Sequence, residues 1–313
     1  MNSYSSCRLI YCLMKKIIIY FIIGVLLFLV PFTLKSKKQT SIPEQAESTS
    51  CPLFIKVNNT TVPIEDYLIG VIAGEMPASF HMEALKAQAI ASRTYVLKQT
   101  NYGKKPILTT TAHQVYNDQE LREEKWKTTF AENEEKITEA VNQTANQILT
   151  YNDELITAMF HASSFQYTES AENYSGNPIP YLTATTSPEQ LNQEQTTYTF
   201  EELNKNLKQN FSRAQLQNAK LKRNNTNRIE QITIHKKTWT GREMRTLLNL
   251  RSTNFTWEPT AAGITIKTYG YGHGVGMSQY GADAMAQGGL TAEGILSHYY
   301  PSTTLKSINY CKK

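Results

Sequence analysis

Cysteine is scarce in this chain, with four in 313 residues. None stands in a CxxC pair or near a histidine at metal-ligand spacing, which removes the zinc-ribbon and thioredoxin-type readings. A second long apolar run is lacking, so the chain is not a multi-span membrane protein. The dinucleotide fingerprint GxGxxG after a strand is missing, and so is any internal repeat. Excess positive charge is absent from most of the chain. The formal charge is +5, but six of the 32 basic side chains (Arg8, Lys15, Lys16, Lys35, Lys37, Lys38) lie in residues 1–38, where there is no acid. The remaining 26 basic side chains face 27 acidic ones, a net charge of −1. No nucleic-acid partner is expected, because phosphate binding relies on basic surface.

What is present is a globular composition, 40% hydrophobic and 10% aromatic, with 18 tyrosines. Residues 17–34 form an uncharged run, IIIYFIIGVLLFLVPFTL. At about 1.5 Å per residue it just crosses a hydrocarbon core, and a single transmembrane anchor is expected. A cleaved signal peptide would have a shorter apolar region and a small-x-small cleavage site, which is not apparent. Arg8, Lys15 and Lys16 assign residues 1–16 to the cytoplasm. Residues 35–50 are polar, contain Pro43 and read as a linker. Residues 51–313 are then an extracytoplasmic domain. Cys51 and Cys311 bracket it, and a disulfide between them would restrict the unfolded chain; two separate thiols are the alternative.

Within this domain, residues 54–61 read as a strand and turn. A helix begins near Pro63, with Ile64, Leu68, Val71 and Ile72 on one stripe, and stops at Pro77. An alanine-rich helix follows over 80–99. Another is expected between 125 and 149, then a hairpin of 147–151 and 155–161 turning at Asn152-Asp153. Residues 185–228 are polar, with a helical pattern at 200–207. Strands at 229–235 and 263–268, helices at 241–248 and 279–287, and an intervening glycine-rich loop complete the chain. Strands and helices mix without βαβ alternation, giving an α+β fold with helices flanking small sheets.

Glu75 continues the apolar stripe of the first helix in its last turn, where the macrodipole disfavours negative charge. Burial and dipole both raise a carboxyl pKa, which suits a general acid; an ordinary glutamate at a helix edge is the plain alternative. A retaining glycosidase needs a second carboxylate close by. Glu65 and Asp66 fall on other faces of the helix, and Glu83 lies early on the next. The loop GYGHGVGMSQYGA (270–282) can bend tightly around His273. A metal held by His113, His161 and His273 lacks any supporting thiolate or spaced carboxylate.

The segments VIAGEMPASFHMEALKAQAIASRTYVL (71–97), AHQVY (112–116), TGREMRTLLNLRS (240–252), GYGHGVGMSQYGA and HYYP (298–301) together resemble the stage II sporulation protein D family of endospore-forming bacteria. These blocks run in order over most of residues 60–301, and the N-terminal anchor also fits the family. The resemblance implies a peptidoglycan lytic transglycosylase with Glu75 as catalytic acid/base. It would cleave after N-acetylmuramic acid in peptide-free strands and leave anhydro ends. It also implies action during forespore engulfment, in the mother-cell membrane, beside stage II sporulation proteins P and M.

By the same resemblance Arg93, Gln114, Tyr116, His161, Ser163, Ser164, His273 and Gln279 would line the groove. The chain departs from the family pattern after His161, where Phe165 and Gln166 replace paired glycines. The cysteines with which some relatives hold zinc just after this histidine are missing, so no metal or other cofactor is expected. A non-catalytic wall-binding module is the second reading, since related domains occur in amidase-enhancer proteins.

Overall fold

The computed structural model describes residues 51–58, 60–110, 113–190 and 193–312, which belong to a unit beginning at Cys51. The cytoplasmic segment, the anchor and the linker expected over residues 1–50 lie outside the described residues. Among the described residues no helix is long and apolar enough to cross a membrane.

The strand and turn expected over 54–61 become an antiparallel hairpin of β1 (Phe54–Val57) and β2 (Thr60–Pro63). Helix α1 (Ile64–Glu75) follows, burying Ile64, Tyr67, Leu68, Val71 and Ile72. Its end is set by Met76, which is extended at φ −127° and ψ 148°, the conformation that a following proline imposes. Helix α2 (Met82–Gln99) is capped by the His81 ring, which accepts from the Glu83 N–H. In place of one helix over 125–149 there are two, α3 (Gln119–Trp126) and α4 (Phe130–Gln143), broken where Lys127 takes φ 48°. Ile148 leaves the helical pattern because it is a buried residue of β3 (Gln147–Tyr151).

The hairpin to β4 (Glu154–Leu155) turns at Asn152 and Asp153, both at positive φ, as a two-residue type I′ turn requires. Its second arm does not reach His161. Instead β5 (Phe160–His161) pairs in parallel with Met277–Ser278, over a hundred residues later. After β6 (Gln166–Tyr167), α5 (Ala171–Ser175) and β7 (Thr186–Ser187), the polar region proves well structured. It carries β8 (Gln193–Thr199), α6 (Phe200–Leu207), α7 (Arg213–Gln217) and β9 (Lys220–Arg223). Then come β10 (Ile229–Ile234), β11 (Lys237–Thr240), α8 (Gly241–Leu247), β12 (Glu258–Pro259), β13 (Gly263–Tyr269), β14 (Met277–Ser278) and α9 (Gln279–Gln287). Helix α10 (Ala292–Tyr299), absent from the sequence expectation, and β15 (Thr304–Ser307) close the fold.

Mixed helices and small sheets make the described unit α+β, built on two hydrophobic clusters. The first surrounds α2, which packs against α1, α4, α9, α10 and β3. Ala84, Ala87, Ala89 and Ala91 are fully buried there, and their small side chains let several neighbours approach at once. The second cluster joins Leu203, Leu207 and Leu216 to Ile232, Ile234, Met244, Phe255, Ile264 and Ile266 under the sheets β9–β10–β11 and β8–β13–β12. Cys51 and Cys311 form a disulfide across a separation of 260 residues. The choice between disulfide and separate thiols is thereby decided.

Candidate active site

Glu75 sits half-buried at the last residue of α1, whose last turn carries no basic residue of its own. Two donors fix its carboxylate. The Val115 N–H donates to Oε1 at 2.7 Å, and the Gln279 side-chain amide donates to Oε2 at 3.5 Å. Burial raises the carboxyl above its ordinary value, and these two hydrogen bonds oppose that shift. A proton is therefore retained to higher pH than on an exposed glutamate. Lys125, from α3, donates to the Ala73 carbonyl at 2.7 Å and satisfies part of the helix end that would otherwise face Glu75.

The contact with Val115 depends on two glycines. A Cβ at Gly70 would lie 2.4 Å from the Tyr116 ring, and one at Gly74 would lie 2.9 Å from the Val115 carbonyl oxygen. Their bare faces let residues 114–117 lie flat along α1, with Asn117 N–H bonded to the Gly70 carbonyl at 3.0 Å. Gln114 anchors the segment from below. It is fully buried, accepts from Tyr67 Oη at 3.1 Å and donates to the Ser92 carbonyl at 3.3 Å. Tyr116 stacks on Tyr67 at 5.4 Å between centroids. These two residues position the acid's neighbour.

Gln279 reaches Glu75 because β14 delivers it there, alongside β5, with Ser278 opposite His161. His161 Nδ1 lies 3.2 Å from the Val275 carbonyl, which can only accept. That atom carries the proton, so Nε2 accepts from Ser164 Oγ at 2.6 Å. Ser164 and Ser163 are buried, the first also bonded through its N–H to Glu189 and the second paired through its backbone with Tyr271. His273 lies 5.7 Å from His161 between ring centroids. Gly272, at φ 116°, permits this, since a Cβ there would stand 2.8 Å from that of His161. Burial lowers both imidazoles, His273 to about 4 and His161 well below its usual value, helped by nearby Arg245 and Arg228.

Arg93 is placed elsewhere. Its guanidinium is fully buried, pairs with Glu65 at 2.6 Å, and donates to the Val141 and Gln147 carbonyls. Glu65 lies ten residues before Glu75, about 15 Å along the same helix. Arg93 thus ties α1, α4 and β3 together and does not line the groove. His113 is likewise apart, accepting from the Leu108 N–H. Sequence reasoning missed the Val115 N–H, since any residue but proline offers one. It also missed Glu189, whose Oε1 accepts from Ser278 Oγ at 2.7 Å, and the buried guanidinium of Arg228, which donates to the Tyr167 carbonyl and Ser164 Oγ.

The site lies within a recognised family. The model of the stage II sporulation protein family matches residues 55–151, which hold Glu75 and Val115. Stage II sporulation protein D of Bacillus subtilis is 36% identical over 274 residues, covering 83% of this chain and 80% of that protein. The chain belongs to the stage II sporulation protein D family. The Bacillus amyloliquefaciens member is 35% identical over 281 residues, 86% of this chain and 82% of its own length. An amidase enhancer of Bacillus subtilis is 31% identical over 298 residues, 77% of this chain but 40% of that protein. The family ties the chain to sporulation.

Proposed function

We propose that the protein is a membrane-anchored peptidoglycan lytic transglycosylase acting during engulfment. The observation that carries this reading is Glu75, a half-buried carboxyl with raised proton affinity, held by one backbone and one side-chain donor. Of the carboxylates considered as partners, two lie well back along the same helix and the third is engaged elsewhere. Glu65 and Asp66 are roughly 14–15 Å back along α1, and Glu83 is bonded to Lys86 and the Ala292 N–H. One carboxyl that both gives and takes a proton suits an intramolecular cleavage. Protonated Glu75 donates to the glycosidic oxygen as the bond to C1 of N-acetylmuramic acid breaks. The sugar's own C6 hydroxyl oxygen then bonds to C1 and returns its proton to Glu75. The ring closes as an anhydro end, and no water is consumed.

The apolar run at 17–34 would hold the unit outside the membrane, and stage II sporulation proteins P and M are the partners this role calls for. The test is mass spectrometry of peptide-free glycan strands after incubation with the protein. Anhydro ends are expected, and hydrated reducing ends would replace this reading with hydrolysis. Bound but intact glycan would favour a wall-binding module, the reading supported by the similarity to an amidase enhancer.

A further inference from the structure

Two adjoining hollows have neither Glu75 nor its partners Val115 and Gln279 in their walls. A cleft of about 870 Å³ opens beside α5, β10, β11 and α8 and ends against His273. It adjoins a smaller hollow of about 360 Å³, and the two share Tyr174, Arg242, Thr246, Thr253 and His273. Arg245 lines the smaller one, which has no carboxylate in its wall. Both arginines come from the TGREMRTLLNLRS segment, which the acid site does not use. Their spacing of three residues places them on one face of α8.

Neither arginine has a carboxylate partner among the described ion pairs. Arg251 of the same segment does, bound to Glu194 at 2.7 Å. Arg242 is pinned, with its guanidinium 4.2 Å above the Tyr174 ring and one nitrogen donating to the Tyr174 carbonyl. Arg245 donates through Nε to the Leu250 carbonyl at 3.2 Å, leaving its two terminal nitrogens without protein acceptors among the described residues. Two pre-aimed forks in a carboxylate-free hollow match a planar anion.

The acids of the larger cleft are engaged. Glu169 accepts from Ser170 N–H, Asn173, Asn224 and Thr226. Glu243 accepts from Thr240, and Glu230 from Lys222. Gln231 and Thr253 also line that cleft and offer the amide and hydroxyl groups that sugar hydroxyls meet. His273 joins the hollow to His161, whose strand β5 pairs with β14, and β14 leads to Gln279 and Glu75.

We infer that the Arg242–Arg245 hollow is a subsite for the free lactyl carboxylate of a muramic acid residue, with the neighbouring sugars lying in the larger cleft. A stem peptide on that carboxyl would replace the anion with an amide and remove the match, so the subsite would select peptide-free strands. This inference rests on the glycan reading above but not on cleavage.

Its test is binding of the full-length chain, carrying Glu75→Gln so that strands stay intact. The probes are peptide-free glycan strands and the same strands with their carboxyls converted to amides. The unaltered cleft is expected to prefer the carboxylate form by about tenfold or more, as charge-assisted hydrogen bonds warrant. Adding Arg242→Gln and Arg245→Gln should bring both strands to the weaker level. Arg245→Lys, which keeps the charge but not the fork, should recover only part of the preference. Equal binding of the two strands by the unaltered cleft, or a preference that survives the double substitution, overturns the inference. Tighter binding of a glycerol-phosphate polymer than of the carboxylate strand overturns the choice of anion. Absence of anhydro ends from the chain with Glu75 intact would refute the cleavage reading alone.

Discussion

Glu75 and Arg242 occupy surroundings of opposite construction. Glu75 ends a helix whose apolar face is buried, and its oxygens are held by groups from two other parts of the chain, 40 and 204 residues away. Arg242 is exposed on a short helix of the second cluster, and the group that steadies it is Tyr174 at the cleft's edge. The acid's place is therefore coupled to the packing of the first core, whereas the arginine's is nearly independent of packing. Substitutions around the first should cost stability and function together, and those around the second should cost binding alone.

The most forceful way to break this contrast is at Arg93. Arg93→Ala removes a fully buried side chain together with its bonds to Glu65 and to the Val141 and Gln147 carbonyls, and truncating a buried side chain of that size costs about 2–5 kcal/mol. Thermal melting should show that loss; a fold of unchanged stability with weakened glycan binding would return Arg93 to the groove. Gly70→Val comes next. Overpacking against Tyr116 should cost about 1–3 kcal/mol and lower cleavage as well, since Val115 N–H is displaced. Normal cleavage would show that Val115 is not needed.

A smaller effect concerns pH. His161 and His273 have lowered values in the fold, so between the unfolded pKa near 6.5 and the folded values the unfolded chain binds more protons. Stability is then full above about pH 6.5 and is lost as pH falls toward about 4. Denaturant titrations across that window should show the decline, and His273→Gln should flatten it in part. The smallest effect is that of Arg242→Gln, which should change stability by no more than about 0.5 kcal/mol. A larger change in melting would mean that the cleft is as tightly coupled to its core as the acid is.

The sequence was readable where one helix could be followed by itself. The stripe of α1, its stop before Pro77 and the inward placement of Glu75 follow from local spacing and backbone restriction. Features made by distant partners were hidden. Nothing in the alanine-rich run around Arg93 points to Glu65, 28 residues earlier, and His161 and His273 meet only because β5 and β14 pair in parallel. The polar region 185–228 concealed its structure because β8, QEQTTYT, has no apolar face to alternate. Its contribution to the second core comes from Leu203, Leu207 and Leu216, set singly among polar residues.

The central claim is that Glu75 alone carries the proton in both directions. Glu75→Gln keeps the shape and, because burial works against the charged form of the native carboxyl, should melt at or above the native temperature near pH 7. The direct measurement is the rate at which this variant forms anhydro ends on peptide-free strands, beside its affinity for the same strands. The expected result is a loss of about 10²–10⁴-fold in rate with binding retained; a variant that cleaves at the native rate would contradict the account.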